Sequence, residues 1–336
     1  MSDPVTRREF VATATLAAGQ ASAATLPTRT FGKTGLTPSL IAIGCGNRLY
    51  MAYKKPEDAE AAVRLALDSG ITYLDTAQAY GDGLSETIVG RAVKERRKSL
   101  ILATKTPARS ADDVMRRFDA SLKCLQTDHV DVLHIHSLKF EDDLKQIEAK
   151  GGALEALYKL RDQKAARFIG ITSHVDPATL AKALERHDFD CTQMALNAGL
   201  QGRSHDGSGF WKKTEDLFGE AIPPRPFPGT SFQDLALPVA VRKNLGIVAM
   251  KVTGQDGLIG TAPGRAKAHD LIRYALSLPV SVVTIGMPKM DYIRQNTEFA
   301  RNYQPMSKQE MSKFSKRLAG ANKVALDRHF LDHVDA

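Results

Sequence analysis

Eight short apolar segments recur along the chain, and amphipathic stretches separate them. The segments are SLIAIGCG (39–46), ITYLDTA (71–77), SLILATK (99–105), VDVLHIH (130–136), RFIGITS (167–173), CTQMALN (191–197), GIVAMKV (246–252) and SVVTIGM (281–287). Most are rich in β-branched residues and nearly continuous in apolar character. A strand with one wet face alternates apolar and polar residues, whereas a continuous apolar run suits a parallel strand covered on both faces. The intervening stretches carry helical periodicity, among them Pro56–Ser69, Ser85–Lys98, Ala111–Gln126 and Pro177–Arg186. Proline heading the first and last of these fits a first helical position, where the missing N–H has no intrahelical partner to lose. Strands alternating with helices predict βαβ units and a parallel sheet. Eight units predict an α/β fold closed as a (β/α)8 TIM barrel.

Two segments fall outside the alternation. TRTFGKTGLTPS (28–39) places a glycine-containing turn between two short pieces before the first strand. It predicts an N-terminal β-hairpin that caps the barrel floor. After the sixth strand, Gly199–Thr230 holds many glycines and prolines, the lone tryptophan (Trp211) and the run IPPRPFPG. A loop this long in a compact domain is usually functional or disordered. Because βα loops build the working face of such a barrel, it is read as a lid over that face.

The formal net charge is +8, but the basic residues are interleaved with acids, as in AVKERRK and LYKLRDQKAAR. Such clusters are read as solvated helix faces. No Lys/Arg tract interleaved with aromatics points to a nucleic-acid partner. Cys45, Cys124 and Cys191 are odd in number and widely spaced, which fits neither a disulfide framework nor a CxxC metal site. Past residue 23 no apolar run reaches the roughly 20 residues a membrane span needs, so no membrane anchor is expected.

The N-terminus has its own pattern. Arg7 and Arg8 precede the mild apolar run VATATLAAG, and Ala21-Ser22-Ala23 follows. Paired arginines, a weak apolar run and a small-residue cleavage pattern resemble a twin-arginine signal peptide. That resemblance implies a signal over residues 1–23, a barrel domain over 24–336, the twin-arginine export machinery as partner and a periplasmic mature protein.

Catalytic residues of a (β/α)8 barrel come from the C-terminal ends of several strands. Strand two ends at Asp75, with Tyr80 five residues on; strand three ends at Lys105 and strand four at His136. Three adjacent strands thus bring a carboxylate, a phenol, an ammonium and an imidazole to one rim. A free phenol has a pKa of about 10, too high for a ready acid near neutrality. A neighbouring ammonium stabilises the phenolate. A buried ammonium needs a carboxylate to stay charged, and an imidazole can hydrogen-bond the reacting oxygen. The set can protonate the alkoxide formed when hydride attacks a carbonyl. The hydride itself must come from a cofactor, because no side chain supplies one.

These segments resemble the aldo-keto reductase family from Thr30 to about Ala300. GITYLDTAQAYGDGLSETIVGRAV (70–93) is similar to the family's signature around its catalytic Asp and Tyr, LILATK to the segment with its Lys, and VDVLHIHS to the one with its His. The resemblance implies a catalytic tetrad of Asp75, Tyr80, Lys105 and His136, with Tyr80 as general acid. It also implies NAD(P)-dependent reduction of an aldehyde or ketone, or oxidation of the alcohol.

On the cofactor side, IGITSH (169–174) resembles the strand-five end that holds the nicotinamide carboxamide. Ser173 fits, and His174 stands where the family has Asn. Gln193 matches the strand-six residue that shares this role. Met250 stands where strand seven usually presents a Tyr to stack on the nicotinamide, and Lys251 follows beside the pyrophosphate. GMPKMDYIRQN (286–296) resembles the adenosine-phosphate segment through Gly286 and Asn296. Pro288 occupies the place of the usual basic residue, with Lys289 or Arg294 as substitutes. The resemblance thus favours NADP(H) over NAD(H).

Two rival readings use the same barrel. His134 and His136 alternate on strand four and face the same way, as in a metal-dependent hydrolase. Such a site needs three or more convergent ligands; strand five offers His174, but strands six and eight offer none. No bound metal is expected on this count. The other rival is a regulatory barrel that binds the cofactor with little turnover.

Overall fold

The computed structural model describes residues 25–203, 230–331 and 333. The proposed signal at 1–23 lies outside the described residues, as do Trp211 and most of the segment read as a lid, 204–229. Eight parallel strands run β1 (Ile41–Gly44), β2 (Tyr73–Asp75), β3 (Ile101–Thr106), β4 (Val130–Ile135), β5 (Ala166–Ser173), β6 (Cys191–Ala195), β7 (Gly246–Met250) and β8 (Val282–Gly286). They pair in sequence order, and β8 returns to β1 to close the barrel. The helices are α1 (Asn47–Tyr50), α2 (Pro56–Asp68), α3 (Leu84–Val93), α4 (Ala111–Leu125), α5 (Glu141–Glu148), α6 (Ala153–Asp162), α7 (Pro177–Arg186), α8 (Ala236–Arg242), α9 (Ala268–Ser277), α10 (Met290–Arg301) and α11 (Lys308–Leu331).

The continuous apolar runs have a simple cause. Alternate residues on each strand point to opposite faces, and here both faces are packed. Outward residues such as Ile43, Leu74, Leu102, Leu133, Ile171 and Ile285 join one large core with the helices. Inward residues Ala42, Tyr73, Ala103, Val132, Cys191, Val248 and Val282 form a second, smaller cluster inside the barrel. Each inward residue is followed two positions later by the next inward one, nearer the C-terminal rim. That step turns a packed apolar layer into the layer that carries the site.

The N-terminal hairpin is present in reduced form. Arg29 donates its N–H to Pro38 at 3.1 Å and Phe31 to Leu36 at 2.8 Å, yet only Thr28 and Ser39 form a bridge. A 3-10 turn over Gly32–Thr34 joins the two arms. The turn docks through the Lys33 N–H, which donates to Asn244 O at 2.8 Å just before β7. Phe31 is fully buried and lies 5.7 Å from the Tyr73 ring. A Cβ on Gly246 would sit 2.5 Å from the Phe31 ring, so glycine at the start of β7 makes room for the plug. Among the described residues, no helix is long and apolar enough to cross a membrane.

Candidate active site

Moving two residues up from the inward apolar layer reaches Asp75 after Tyr73, Lys105 after Ala103, His134 after Val132, Gln193 after Cys191, Met250 after Val248 and Thr284 after Val282. His136 lies one further step up its strand. Buried strands fix the backbone of these residues, and register sets their height: Asp75 pairs with Ala103, and Lys105 with His134.

Tyr80 comes from the turn after β2. Its N–H donates to Ala77 O at 3.1 Å, and the chain turns again at Gly81 (φ 62°) and Gly83 (φ 87°), both left-handed. A β-carbon is disfavoured at such φ values, so glycine at these two positions lets the turn place the phenol over the rim. Lys105 is fully buried. Its ammonium lies 2.8 Å from Asp75 Oδ1, donates to Thr76 O at 2.8 Å, and approaches the Tyr80 hydroxyl at 3.4 Å. The other Asp75 oxygen accepts from Gln193 Nε2 at 2.9 Å and from Thr284 Oγ1 at 3.4 Å. The His136 ring meets the Tyr80 ring edge-on, with centroids 5.6 Å apart. Arg109 fixes the backbone around His136: its guanidinium donates to the carbonyls of His136 (3.0 Å) and Ser137 (3.2 Å) and pairs with Asp143.

Beside the ion pair, His134 and Cys45 are sealed from water. His134 is fully buried, and among the described residues neither ring nitrogen has a hydrogen-bond partner. Burial first, then the Lys105 and His136 charges, hold its imidazole well below the ordinary range. The ring occupies the space a side chain on Gly170 would need, 2.4 Å from a Cβ there. Burial likewise pushes the Cys45 thiol far up, with Asp75 adding and Lys105 opposing. Cys45 is therefore a buried apolar neighbour of the pair rather than a nucleophile. Among the described residues no group of three or more His, Cys, Asp or Glu is placed to hold a metal ion. The His134–His136 pattern is thus two imidazoles at different depths, one of them sealed in the barrel.

A cleft of about 590 Å³ opens on this rim. Asp75, Tyr80, Gln193, Met250, Lys251, Gly286 and Asn296 line it, so seven residues singled out from the sequence meet in one cavity. Lys105 and His136 reach it through Tyr80. Ser173, His174 and Lys289 do not line it. Ser173 Oγ donates to Leu138 O at 2.7 Å, and His174 Nε2 lies 3.0 Å from Ser137 Oγ. The Lys289 ammonium sits 5.6 Å over the Tyr292 ring. Arg294, the other substitute, pairs with Asp291 at 3.0 Å.

Several lining residues escaped the sequence reading because they come from loops with no strand-end signal. Arg48, after β1, pairs across the cleft with Asp256, after β7. Gln255 and Asp256 both take positive φ (51° and 69°), a conformation rare for residues with a β-carbon. Lys267, His269 and Asp270, at the start of α9, line the cleft as well. His333 follows α11 and packs near Lys251, with Nε2 3.3 Å from the ammonium. No strand-end pattern announces them.

The sequence, compared with known families, has a match. Residues 42–218 match the model of the aldo/keto reductase family, slightly more than half of the chain. The chain belongs to that family.

Among individual proteins, this aldo/keto reductase is similar to L-galactose dehydrogenase of Arabidopsis thaliana, with 38% identity over 156 residues, 43% of this chain and 47% of that one. It is similar to an aldo-keto reductase of Bacillus subtilis at 37% identity, over 42% of this chain and 45% of that one. The chain thus aligns with about half the length of these two relatives. Pyridoxal 4-dehydrogenase of Microbacterium luteolum matches over 80% of this chain and 91% of its own, at 27% identity. In structure, the chain resembles the holo form of an aldo-keto reductase from Bacillus halodurans, with TM-score 0.67, 22% identity, and coverage of 90% of this chain and 99% of that one. An aldo-keto reductase of Klebsiella pneumoniae, solved in complex with NADPH, gives a TM-score of 0.65 at 19% identity, covering 92% of this chain and 99% of that one. At these identities the structural likeness is one of fold.

Proposed function

We propose that this chain is an NAD(P)H-dependent reductase of a small aldehyde or ketone, with Tyr80 as general acid. The observation that carries the reading is the Tyr80 hydroxyl on the cleft wall, with the Lys105 ammonium 3.4 Å behind it and Asp75 2.8 Å behind that. The cleft fits a nicotinamide dinucleotide in size and lining. Its volume lies within the usual range for ligand sites, roughly 300–1,000 Å³. Met250 and Ile272 give it apolar wall, while Gln193, Lys251 and Asn296 supply donors. Met250 would pack against the nicotinamide, Lys251 would face the pyrophosphate, and Asn296 would hold the adenosine end. When bound, the cofactor supplies the hydride.

The chain's own part is proton transfer. Charge gathers on the carbonyl oxygen as it is reduced, and the Tyr80 hydroxyl releases its proton to that oxygen. Lys105 stabilises the phenolate left behind. Asp75 keeps Lys105 charged in a buried site, and Gln193 with Thr284 keeps Asp75 in place. His136, edge-on to the Tyr80 ring, shapes the site for the carbonyl oxygen.

The test is a binding titration of the purified protein with NADPH and with NADH, followed by turnover of an aldehyde panel. Binding of one or both cofactors and consumption of reduced cofactor are expected, with NADPH preferred. Failure of both cofactors to bind overturns the reading. We further propose that the protein works in the periplasm after twin-arginine export. The support is Arg7, Arg8, the mild apolar run and Ala21-Ser22-Ala23 in the sequence. Replacing both arginines with lysine keeps the charge and changes the side-chain geometry a receptor reads. The folded, active enzyme is then expected to stay in the cytoplasm. N-terminal sequencing of fractionated wild type is expected to show a start near Ala24; an uncleaved cytoplasmic wild type refutes export.

A further inference from the structure

NADP differs from NAD by one phosphate dianion, so a protein that separates them must place cationic donors where that phosphate sits. In this cleft the segment after β8 supplies none: its lining residues Gly286, Pro288, Tyr292, Gln295 and Asn296 are all uncharged. The basic residues of that segment are used elsewhere, Lys289 over the Tyr292 ring and Arg294 on Asp291. Of the other cations lining the cleft, Arg48 is paired with Asp256, and Lys251 follows β7 and packs against His333. Lys267 remains; among the described residues it enters no ion pair, and it lies at the start of α9 beside His269.

His269 is held ready. Its ring stacks on Phe299 with centroids 4.7 Å apart and planes 14° apart, and its Nε2 lies 3.2 Å from Asn296 Oδ1. With Nε2 donating to that oxygen, the Asn296 amide nitrogen is left as a donor. A donor fixed before binding loses less entropy when the ligand arrives.

We infer that Lys267 and His269, with the Asn296 amide that His269 orients, recognise the 2′-phosphate of NADP(H). The inference rests on the reading that the cleft takes a nicotinamide dinucleotide. Recognition of the phosphate thus passes from the β8 segment to the start of α9. Asp270 lines the same stretch and opposes the phosphate, while its carboxylate can accept from ribose hydroxyls. It therefore limits the preference for NADP(H).

The test is calorimetric binding to the full chain, with NADPH, NADH, adenosine 2′,5′-bisphosphate and AMP as titrants, so that no turnover is needed. For Lys267→Glu, the dissociation constants of NADPH and of the bisphosphate are expected to rise at least about tenfold, the size of one charge-assisted contact. Those of NADH and AMP are expected to move by less than about twofold. His269→Phe keeps the stacking area on Phe299 and removes the donor; it is expected to act in the same direction, more weakly. Asp270→Asn is expected to raise the NADPH-to-NADH preference. Lys267 is exposed, so its replacement leaves the core intact and the experiment interpretable if His269→Phe is unstable. Equal effects on phosphorylated and unphosphorylated titrants, or none on either, overturn the inference. Failure of the parent protein to bind any of the four instead overturns the cofactor reading.

Discussion

Replacing Lys105 with methionine separates the electrostatic role of the buried pair from its role in folding. Methionine keeps most of the apolar stem and removes the charge. At 2.8 Å from Asp75 Oδ1, the ion pair is worth about 6 kcal/mol at an effective dielectric constant of about 20. Removing one partner of a buried pair typically costs about 3–5 kcal/mol, because the other charge is left uncompensated. In Lys105→Met the Asp75 carboxylate keeps only Gln193 and Thr284. The melting temperature should therefore fall by roughly 6–10 °C, at roughly 2 °C per kcal/mol for a chain of this length. The double variant Asp75→Asn/Lys105→Met leaves neither charge unpaired and should recover much of the lost stability. It should not recover activity, because the phenolate of Tyr80 still lacks its cation. The assay is thermal unfolding by circular dichroism, beside steady-state aldehyde reduction on the same samples. A single variant as stable as the parent, or a double variant no better than the single, refutes the buried-pair argument. Unchanged turnover in the single variant refutes the link to Tyr80.

Tyr80→Phe removes the acid proton and little packing, so carbonyl reduction should fall about 10²–10⁴-fold while the NADPH dissociation constant stays close to the parent value; near-normal turnover sinks the role of Tyr80. Gly170→Ala places a methyl 2.4 Å from His134 Nδ1 and 2.7 Å from the backbone oxygen of Cys191. It should cost about 1–3 kcal/mol by overpacking, read by urea unfolding, and an unchanged midpoint contradicts the placement of the His134 ring. Purified protein should carry no stoichiometric zinc, and chelators should leave turnover intact. Elemental analysis finding about one zinc per chain, lost together with activity, would revive the metal reading of His134 and His136.

The barrel was legible because it has a local cause. A parallel strand buried on both faces must be apolar nearly throughout, so all eight strands appear in the sequence as runs, and their ends mark where polar side chains reach the rim. Asp75, Lys105 and His136 were found that way, and Tyr80 through the turn beyond Asp75. Where pairing was weaker the reading was coarser: residues 28–39 form a hairpin with a single bridge, because the Phe31 side chain docking in the barrel floor, rather than strand pairing, holds it. Other features depended on contacts between distant segments, which no local pattern records. Ser173 spends its hydroxyl on Leu138 O, and His174 turns toward Ser137, because the strand-four and strand-five loops pack together. Lys289 and Arg294 carry the charge expected near a phosphate, but here the cause is local: Tyr292 and Asp291, close by in sequence, take them up. Lys267 and His269 lie at the start of the helix after strand seven, and pairing of β7 with β8 brings that helix beside Asn296 of the helix after strand eight. Periodicity therefore determined the scaffold and the chemistry at the strand ends, since both depend on which face a residue occupies. Which charges meet across the cleft was decided by loop packing and barrel closure, since those set distances between residues that the sequence keeps far apart.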